Sequence, residues 1–226
     1  MPERSYRYER KFLVDQLDEG QVKALVLRHP GMFHEPYPPR YINNFYLDTP
    51  AMDNYYDNVD GAGTRRKARI RWYGTLMGHI KKPVLEFKIK HGLVGTKKQY
   101  PFPEFVLESG YRDDNLMKQI NLSDLPPEVK SYLLSMQVVL MNRYFRYYYA
   151  TRDGRFRATL DTGLTFYRVE RLNNRFTHKQ TDHRNLVVEL KYEIGEDLHA
   201  SRVSGFFPFR PTKSSKYVQG IERVYF

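Results

Sequence analysis

The sequence predicts an α+β fold, with antiparallel β-structure running the length of the chain, helices packed outside it and a further helix at the C-terminus. Three observations predict it. Segments of strand length alternate apolar with charged residues from near one terminus to near the other. Three of them carry a glutamate two residues before a lysine, at Glu9-Arg10-Lys11, Glu86-Phe87-Lys88 and Glu189-Leu190-Lys191, a spacing that puts both charges on one face of a strand. Only one long helical stretch, Asp113–Gln137, interrupts the strands, and the ionic alternation resumes after it. The 226 residues therefore read as a single domain, 1–226, a length ordinary for a β-barrel.

In chain order, the first strand is Tyr6–Val14, and Asp15 to Asp18 supply caps for a short amphipathic helix, Glu19–Arg28. The proline-rich His34–Arg40 is a loop before a strand at Tyr41–Leu47. Asp48-Thr49-Pro50 end that strand and cap a helix reaching Val59, and Gly61 and Gly63 turn the chain into the basic strand Arg65–Tyr73. Gly74–Lys82 connects to Val84–Lys90 as a hairpin, and Gly92 and Gly95 break the chain before Lys97–Phe102. Pro126-Pro127 start a helix within Asp113–Gln137. Val138–Thr151 and Arg155–Thr162 form a hairpin about Asp153-Gly154, followed by short Leu164–Val169, a long loop Glu170–Arg184, and a strand at Leu186–Ile194. Pro211-Thr212 precede the C-terminal helix Lys213–Val224, with Thr212 as its cap.

The polar faces are mostly Arg, Lys and Glu. Arg65, Lys67, Arg69 and Arg71 share one face opposite Ala68, Ile70 and Trp72; Arg155, Arg157 and Asp161 share another, and Tyr144, Arg146 and Tyr148 a third. Two arrangements fit this alternation. An open antiparallel sheet with one solvated face also alternates, although such faces usually mix in Thr, Ser and Gln. The other arrangement closes the strands into a barrel with the ionic faces inward and the apolar faces under helices, which removes exposed edges. Lys11, Arg69, Arg71, Lys88, Arg146, Arg157 and Lys191 would then share a lumen. Two unit charges about 4 Å apart interact by roughly 4 kcal/mol at an effective dielectric of about 20, and several such pairs exceed the ~5–15 kcal/mol net stability of a domain. Such a lumen needs a polyanion, or many ions and waters.

Net charge points the same way. With 37 basic and 26 acidic residues the chain carries +11, which favours a polyanionic partner, yet the acids are numerous enough to sit among the basic residues. The absence of cysteine excludes disulfides, thiolate metal sites and a cysteine nucleophile. The longest aliphatic run, Val138–Met141, is far short of a membrane helix, and the N-terminal residues lack the apolar core of a signal peptide, so a cytoplasmic protein is expected. The seven histidines form no metal-ligand cluster and read as surface residues, Gly61-Ala62-Gly63 reads as a turn, and Lys97 and Lys98 read as solvated. Glu9, Glu86 and Glu189 are either salt-bridge partners of the lysines or ligands of a hard divalent cation that bridges carboxylate to phosphate oxygens. Glu86 suits the first role; Glu189, at a strand centre, is the first candidate metal ligand and Glu9 the second.

Several of these runs together resemble the VTC polyphosphate polymerase domain of the triphosphate tunnel metalloenzymes, which also include the CYTH phosphatases and cyclases. They are Arg7-Tyr8-Glu9-Arg10-Lys11-Phe12, Asn44-Phe45-Tyr46-Leu47-Asp48-Thr49, Lys67-Ala68-Arg69-Ile70-Arg71-Trp72-Tyr73, Leu85-Glu86-Phe87-Lys88, Leu160-Asp161-Thr162, Val188-Glu189-Leu190-Lys191 and Lys213-Ser214-Ser215-Lys216-Tyr217. The resemblance spans the chain in order and implies an eight-stranded antiparallel closed tunnel that binds ATP. A divalent metal, Mn or Mg, would assist transfer of the terminal phosphoryl group to a polyphosphate chain. Carried over by motif, the phosphate contacts are Lys11, Arg69, Arg71, Lys88, Tyr144, Arg146, Arg157, Ser215 and Lys216, with Glu189 on the metal. Lys191 joins them by its parity, and Lys213 with Ser215 and Lys216 would present charge and helix N-terminal amides.

The resemblance has two departures. Arg7 stands where the wider superfamily often has the first acid of a Glu-x-Glu-x-Lys pattern, which removes one metal ligand and makes the phosphohydrolases a poorer match. The eukaryotic polymerases carry the domain fused to membrane helices that these residues lack, so polymer export is expected to need a separate membrane protein. Two other functions remain open: a tripolyphosphatase or nucleoside triphosphatase of the same tunnel class, and a non-catalytic polyphosphate- or RNA-binding module drawing on the 15% aromatic content. No sequence-specific nucleic-acid partner is expected.

Overall fold

The computed structural model describes residues 7–91, 94–170 and 172–226; Tyr6 and Gly92, read above as strand and breaker, lie outside them. Strand β1 (Arg7–Val14) leads to α1 (Glu19–Leu27). A capping box starts α1: the Asp18 carboxylate accepts the Gln21 N–H while the Gln21 side chain accepts the Asp18 N–H. β2 (Arg40–Asp48) ends in Asp48, whose carboxylate accepts the N–H groups of Asn54 and Tyr55, each at 2.9 Å, and so starts α2 (Asp53–Val59) as the Asp48-Thr49-Pro50 run predicts. The chain continues through β3 (Thr64–Tyr73), β4 (Gly78–Ile80), β5 (Val84–His91), β6 (Val94–Pro101) and β7 (Phe105–Leu107). The helical middle is α3 (Asp113–Leu122) and α4 (Pro127–Leu134), the latter with proline in its first turn. β8 (Gln137–Ala150), β9 (Phe156–Arg168), β10 (Lys179–Asp182), β11 (Leu186–Glu193), α5 (Asp197–Gly205) and α6 (Lys216–Tyr225) complete it.

The main sheet runs β10-β9-β11-β1-β6-β5-β3-β2-β8, antiparallel throughout, and β8 folds back to pair with β9 as well. The sheet is therefore strongly curled. It is not the closed barrel expected above: β1 and β6 share one pairing, Arg7 with Gly95, while β6 pairs with β5 along its whole length and leaves β1 beyond that point. The result is an open seam. Gly95 lies inside β6 and does not break the chain before it. β4 and β7 form a separate small ribbon.

The curl turns the ionic faces inward. Arg71 of β3 reaches the Tyr144 hydroxyl of β8 over the intervening β2 at 3.3 Å, and Lys11 of β1, Arg146 of β8 and Lys216 of α6 all meet at Glu189 of β11, which places those faces on the concave side. The apolar faces look outward and lie under helices. Phe45, Ile70, Trp72 and Leu85 pack beneath Leu116 and Ile120 of α3 and Leu133 of α4, while Phe12, Leu160, Val188 and Leu190 pack beneath Val22 and Val26 of α1 and Ala200 of α5. Full burial of each such side chain contributes about 1.5–3 kcal/mol. α5 has no counterpart in the sequence reading, and β10 occupies part of the segment read as a loop.

β9 contains a bulge. Its register against β8 slips between Arg143 and Phe145, and Gly163 takes φ +59°, so the inward parity passes from Asp161 to Leu164 and Phe166. These residues, with Tyr46, Leu140 and Val187, receive Tyr217, Ile221 and Val224 of α6 on the concave side. α6 begins at Lys216, capped by the Ser215 hydroxyl, and not at Lys213 behind Thr212. Thr212 extends the edge of β1 instead, its N–H donating to the Lys11 carbonyl at 2.7 Å and its Oγ1 accepting the Leu13 N–H. His29, read as a surface residue, is buried against Phe33 and Phe207 because α1 and the end of α5 meet there.

Among the described residues no helix is long and apolar enough to cross a membrane. At Gly220 of α6, a Cβ would fall 2.5 Å from Leu140 and 2.6 Å from Phe166, both fully buried and unable to retreat. Gly220→Ala is expected to cost about 1–3 kcal/mol, read as a lowered midpoint in chemical denaturation; an unchanged midpoint would show that α6 does not pack this closely.

Candidate functional site

Strand pairing explains the Glu-x-Lys spacing. β1 and β11 run antiparallel in a register that sets Glu9 opposite Lys191 and Lys11 opposite Glu189, so each carboxylate meets an ammonium across the ladder. Glu189 collects four cations: Lys191 at 3.0 Å, Lys216 at 3.2 Å, Arg146 at 3.3 Å and Lys11 at 3.5 Å. Beside it Asp161, fully buried, takes Arg146 and Lys216, each at 2.6 Å. Glu9 binds Lys88 at 2.6 Å across the open seam and Lys191 at 3.8 Å. Burial opposes ionisation of Glu9 and Glu189, but the surrounding cations outweigh it. Lys11 foremost holds Glu9 at about 2, and Lys191, Lys216, Lys11 and Arg146 hold Glu189 well below the usual carboxylate range.

A second cluster surrounds Glu86. It accepts from Arg69 at 2.5 Å, Gln99 at 2.6 Å and Lys97 at 3.2 Å, with Arg71 at 3.6 Å, so Glu86 has the salt-bridge role that its sequence suited. Arg71 is fixed further by Asn44, which Asn142 holds in turn. On this side the ladder sets like charges together, Lys67 opposite Lys88 and Lys88 opposite Lys97.

Lys67 is where compensation stops. Its ammonium donates to the Ser215 hydroxyl at 2.7 Å, and among the described residues no carboxylate lies within ion-pair distance of it. Burial first, then Lys11, Lys88, Arg69 and Arg65, push it well below the ordinary lysine value. Lys88 is lowered in the same way, by burial and by Lys11 against the pull of Glu9. Arg71, Arg146 and Lys216 are buried together with Glu86, Asp161 and Glu189, and the surplus of positive charge on the concave face lies with the half-buried Lys11, Lys67, Arg69, Lys88 and Lys191, where a linear polyanion would neutralise it.

Most residues expected from the sequence come together here: Lys11, Arg69, Arg71, Lys88, Tyr144, Arg146, Glu189, Lys191, Ser215 and Lys216. Arg157 shares the register of Lys191 but is exposed, in an open cleft at the rim with Arg155 and Glu196. Arg155 lies outside β9 and pairs with Glu196, so it does not share the inner face. Lys213 is exposed and three residues ahead of α6, and so presents no helix amide. Lys67, Asp161 and Lys97 were not among the candidates. Lys67 and Asp161 had a signal in their parity with Arg69 and Arg157, whereas Lys97 acquires its partner only through the β5–β6 register.

Among the described residues no group of three or more His, Cys, Asp or Glu side chains is placed to hold a metal ion. Both carboxylate oxygens of Glu189 and of Glu9 are taken by lysine or arginine, so a hard cation there would have to displace those groups and bring most of its ligands as phosphate oxygens and water.

The sequence model of one protein family, described as the VTC domain, matches residues 6–225. No curated protein matches the chain. Among solved structures, a candidate adenylate cyclase from Vibrio parahaemolyticus superposes with a TM-score of 0.54 at 10% identity, covering 96% of this chain and 99% of its own. A Pyrococcus horikoshii protein superposes with a TM-score of 0.54 at 13% identity, covering 96% and 98%. At these identities the likeness is one of fold.

Two outcomes are expected from this electrostatic arrangement. Folding holds the Glu9 carboxyl at about 2 against an ordinary 4.5, so its contribution to stability is complete above 4.5 and is lost as pH falls towards 2. Acid denaturation should show that loss in wild type and a flatter limb in Glu9→Gln. Neutralisation of the Lys67 surroundings should raise its affinity for a proton, so binding of a short inorganic phosphate chain at mildly alkaline pH is expected to take up protons. Calorimetry in buffers of different ionisation enthalpy measures this, and Lys67→Met should abolish most of the uptake.

Proposed function

The chain belongs to the VTC domain family, and on that premise we propose that it is a polyphosphate polymerase that moves the terminal phosphoryl group of ATP onto a growing phosphate chain. The observation that supports this reading most is the half-buried surplus of cations on the concave face, where among the described residues Lys67 has a hydroxyl and no carboxylate for a partner. A fold that gathers such a surplus gains stability when a polyanion fills it, and a chain of phosphates carries charge at a spacing that several lysines can share.

Phosphoryl transfer asks little covalent chemistry of a protein; positioning and charge neutralisation supply most of the rate. In the proposed reaction an oxygen of the acceptor chain's terminal phosphate attacks the γ-phosphorus, the bond to the β-phosphate oxygen breaks, and ADP leaves. Lys11, Arg146 and Lys216 converge on Glu189 and Asp161, which hold these cations in place before substrate arrives. Arg69 and Arg71 are held likewise by Glu86. These cations are therefore already gathered when the triphosphate enters. Lys67, Lys88 and the Ser215 hydroxyl face the same space and would extend the track for the acceptor. A divalent ion arriving with the phosphates would be held by Glu189 and Glu9 as their lysines and arginines pass to phosphate oxygens, and it would supply further neutralisation of charge on the transferring group. No protein nucleophile is needed.

Incubation of the purified chain with ATP and manganese is expected to give ADP and a ladder of polyphosphate on a gel. ADP with free phosphate alone would make the protein a hydrolase of the same tunnel class. Lys11→Met is expected to lower kcat by about 10²–10³-fold, with the fold retained by circular dichroism.

A further inference from the structure

We propose that Tyr37, Arg40, Tyr73 and Tyr148 form a stacking site for the base of a nucleoside triphosphate, so that the enzyme distinguishes a nucleotide from inorganic tripolyphosphate. The inference rests on the reading of the concave face as a triphosphate site and adds the part of the substrate that the lysines and arginines do not recognise.

The four residues meet where the first residue of β2 lies beside the ends of β3 and β8. Arg40 pairs in register with Arg146, one of the buried cations on Asp161. Its guanidinium sits 3.9 Å from the centre of the Tyr73 ring and 5.4 Å from that of Tyr148, and its Nε donates to the Tyr148 hydroxyl at 3.0 Å. Tyr37 stands edge-on to Tyr148 with ring centres 6.1 Å apart. The cation and three rings hold one another in place, each cation–π contact at such an exposed position being worth only about 0.5–1 kcal/mol. The group contributes to none of the three apolar clusters, and Tyr37 is 66% and Tyr73 42% exposed. The rings therefore keep surface open to water, which a planar ligand would cover.

Distance favours a base as that ligand. Tyr148 follows Arg146 on the same face of β8, about 7 Å further along the strand. A triphosphate seated against Arg146 and its neighbours would place ribose and base outward by one or two such steps, over Tyr148 and the Arg40–Tyr73 pair. Every base has a π-face and stacking reads little of its edge, so the site should accept purines and pyrimidines alike. Inorganic tripolyphosphate has nothing to place there.

The test compares ATP and inorganic tripolyphosphate binding by calorimetry on the whole chain, in wild type, Tyr73→Ala and Tyr73→Phe. Tyr73→Ala is expected to weaken ATP by about 5- to 150-fold, the range for loss of a base–aromatic stack, and to leave tripolyphosphate unchanged, which also shows that the variant is folded. Tyr73→Phe should bind ATP as wild type does. Equal weakening of both ligands by Tyr73→Ala, no effect on ATP, or a Tyr73→Phe as weak as the alanine variant would each overturn the stacking site while leaving the phosphate site intact. Failure of wild type to bind tripolyphosphate would overturn the phosphate site and the inference with it.

Discussion

Like charges held close together on one partly sheltered face constrain everything else in this molecule. The concave face gathers lysines and arginines from β1, β3, β5, β6, β8, β11 and α6, and it folds only because carboxylates are shared among them. Glu189 serves four cations, Glu86 three, and Asp161 two. This sharing is economical: each acid offsets several bases without cancelling their sum. More acids would bring the face towards neutrality, and fewer would leave more of its mutual repulsion unopposed. Among the described residues the compensation runs out at Lys67, where a hydroxyl takes the place that a carboxylate has elsewhere.

Because the inner face is ionic, the hydrophobic effect has to act on the outside of the sheet. α1 with α5, and α3 with α4, cover the outward apolar residues in two separate clusters. α6 crosses to the inner side, where the bulge at Gly163 turns Leu164 and Phe166 inward to receive it. Asp48 ties this corner together, accepting from Asn54 and Tyr55 at the start of α2 and from the Tyr217 hydroxyl of α6. Apolar packing of α6 thereby sets the positions of Ser215 and Lys216 at its first turn, so core packing and site geometry are one problem at this end of the molecule.

Period-two alternation carried much of this into view from the sequence. Parity alone assigns Lys11, Arg69, Arg71, Lys88, Arg146 and Glu189 to one surface, because a strand's side chains alternate strictly, and resemblance to the VTC domain selects the same residues. Other features had no local signal. Lys97 owes its bond with Glu86 to the β5–β6 register. The Thr212 hydroxyl serves β1 because Pro211 pairs with Phe12, which moves the helix cap to Ser215 and leaves Lys213 in solvent. α5 and the burial of His29 depend on contacts between segments more than a hundred residues apart.

The sequence by itself determined which side chains share a face, that those faces are ionic with a basic surplus, and that helices must cover the opposite ones. These follow from backbone geometry and from the need to bury apolar surface, both local rules. Only the tertiary structure decided which acid compensates which base, how far the curled sheet meets itself at the β1–β6 seam, and where α6 enters. Those depend on register and curvature, which arise from all the strands together and are written in no single one of them.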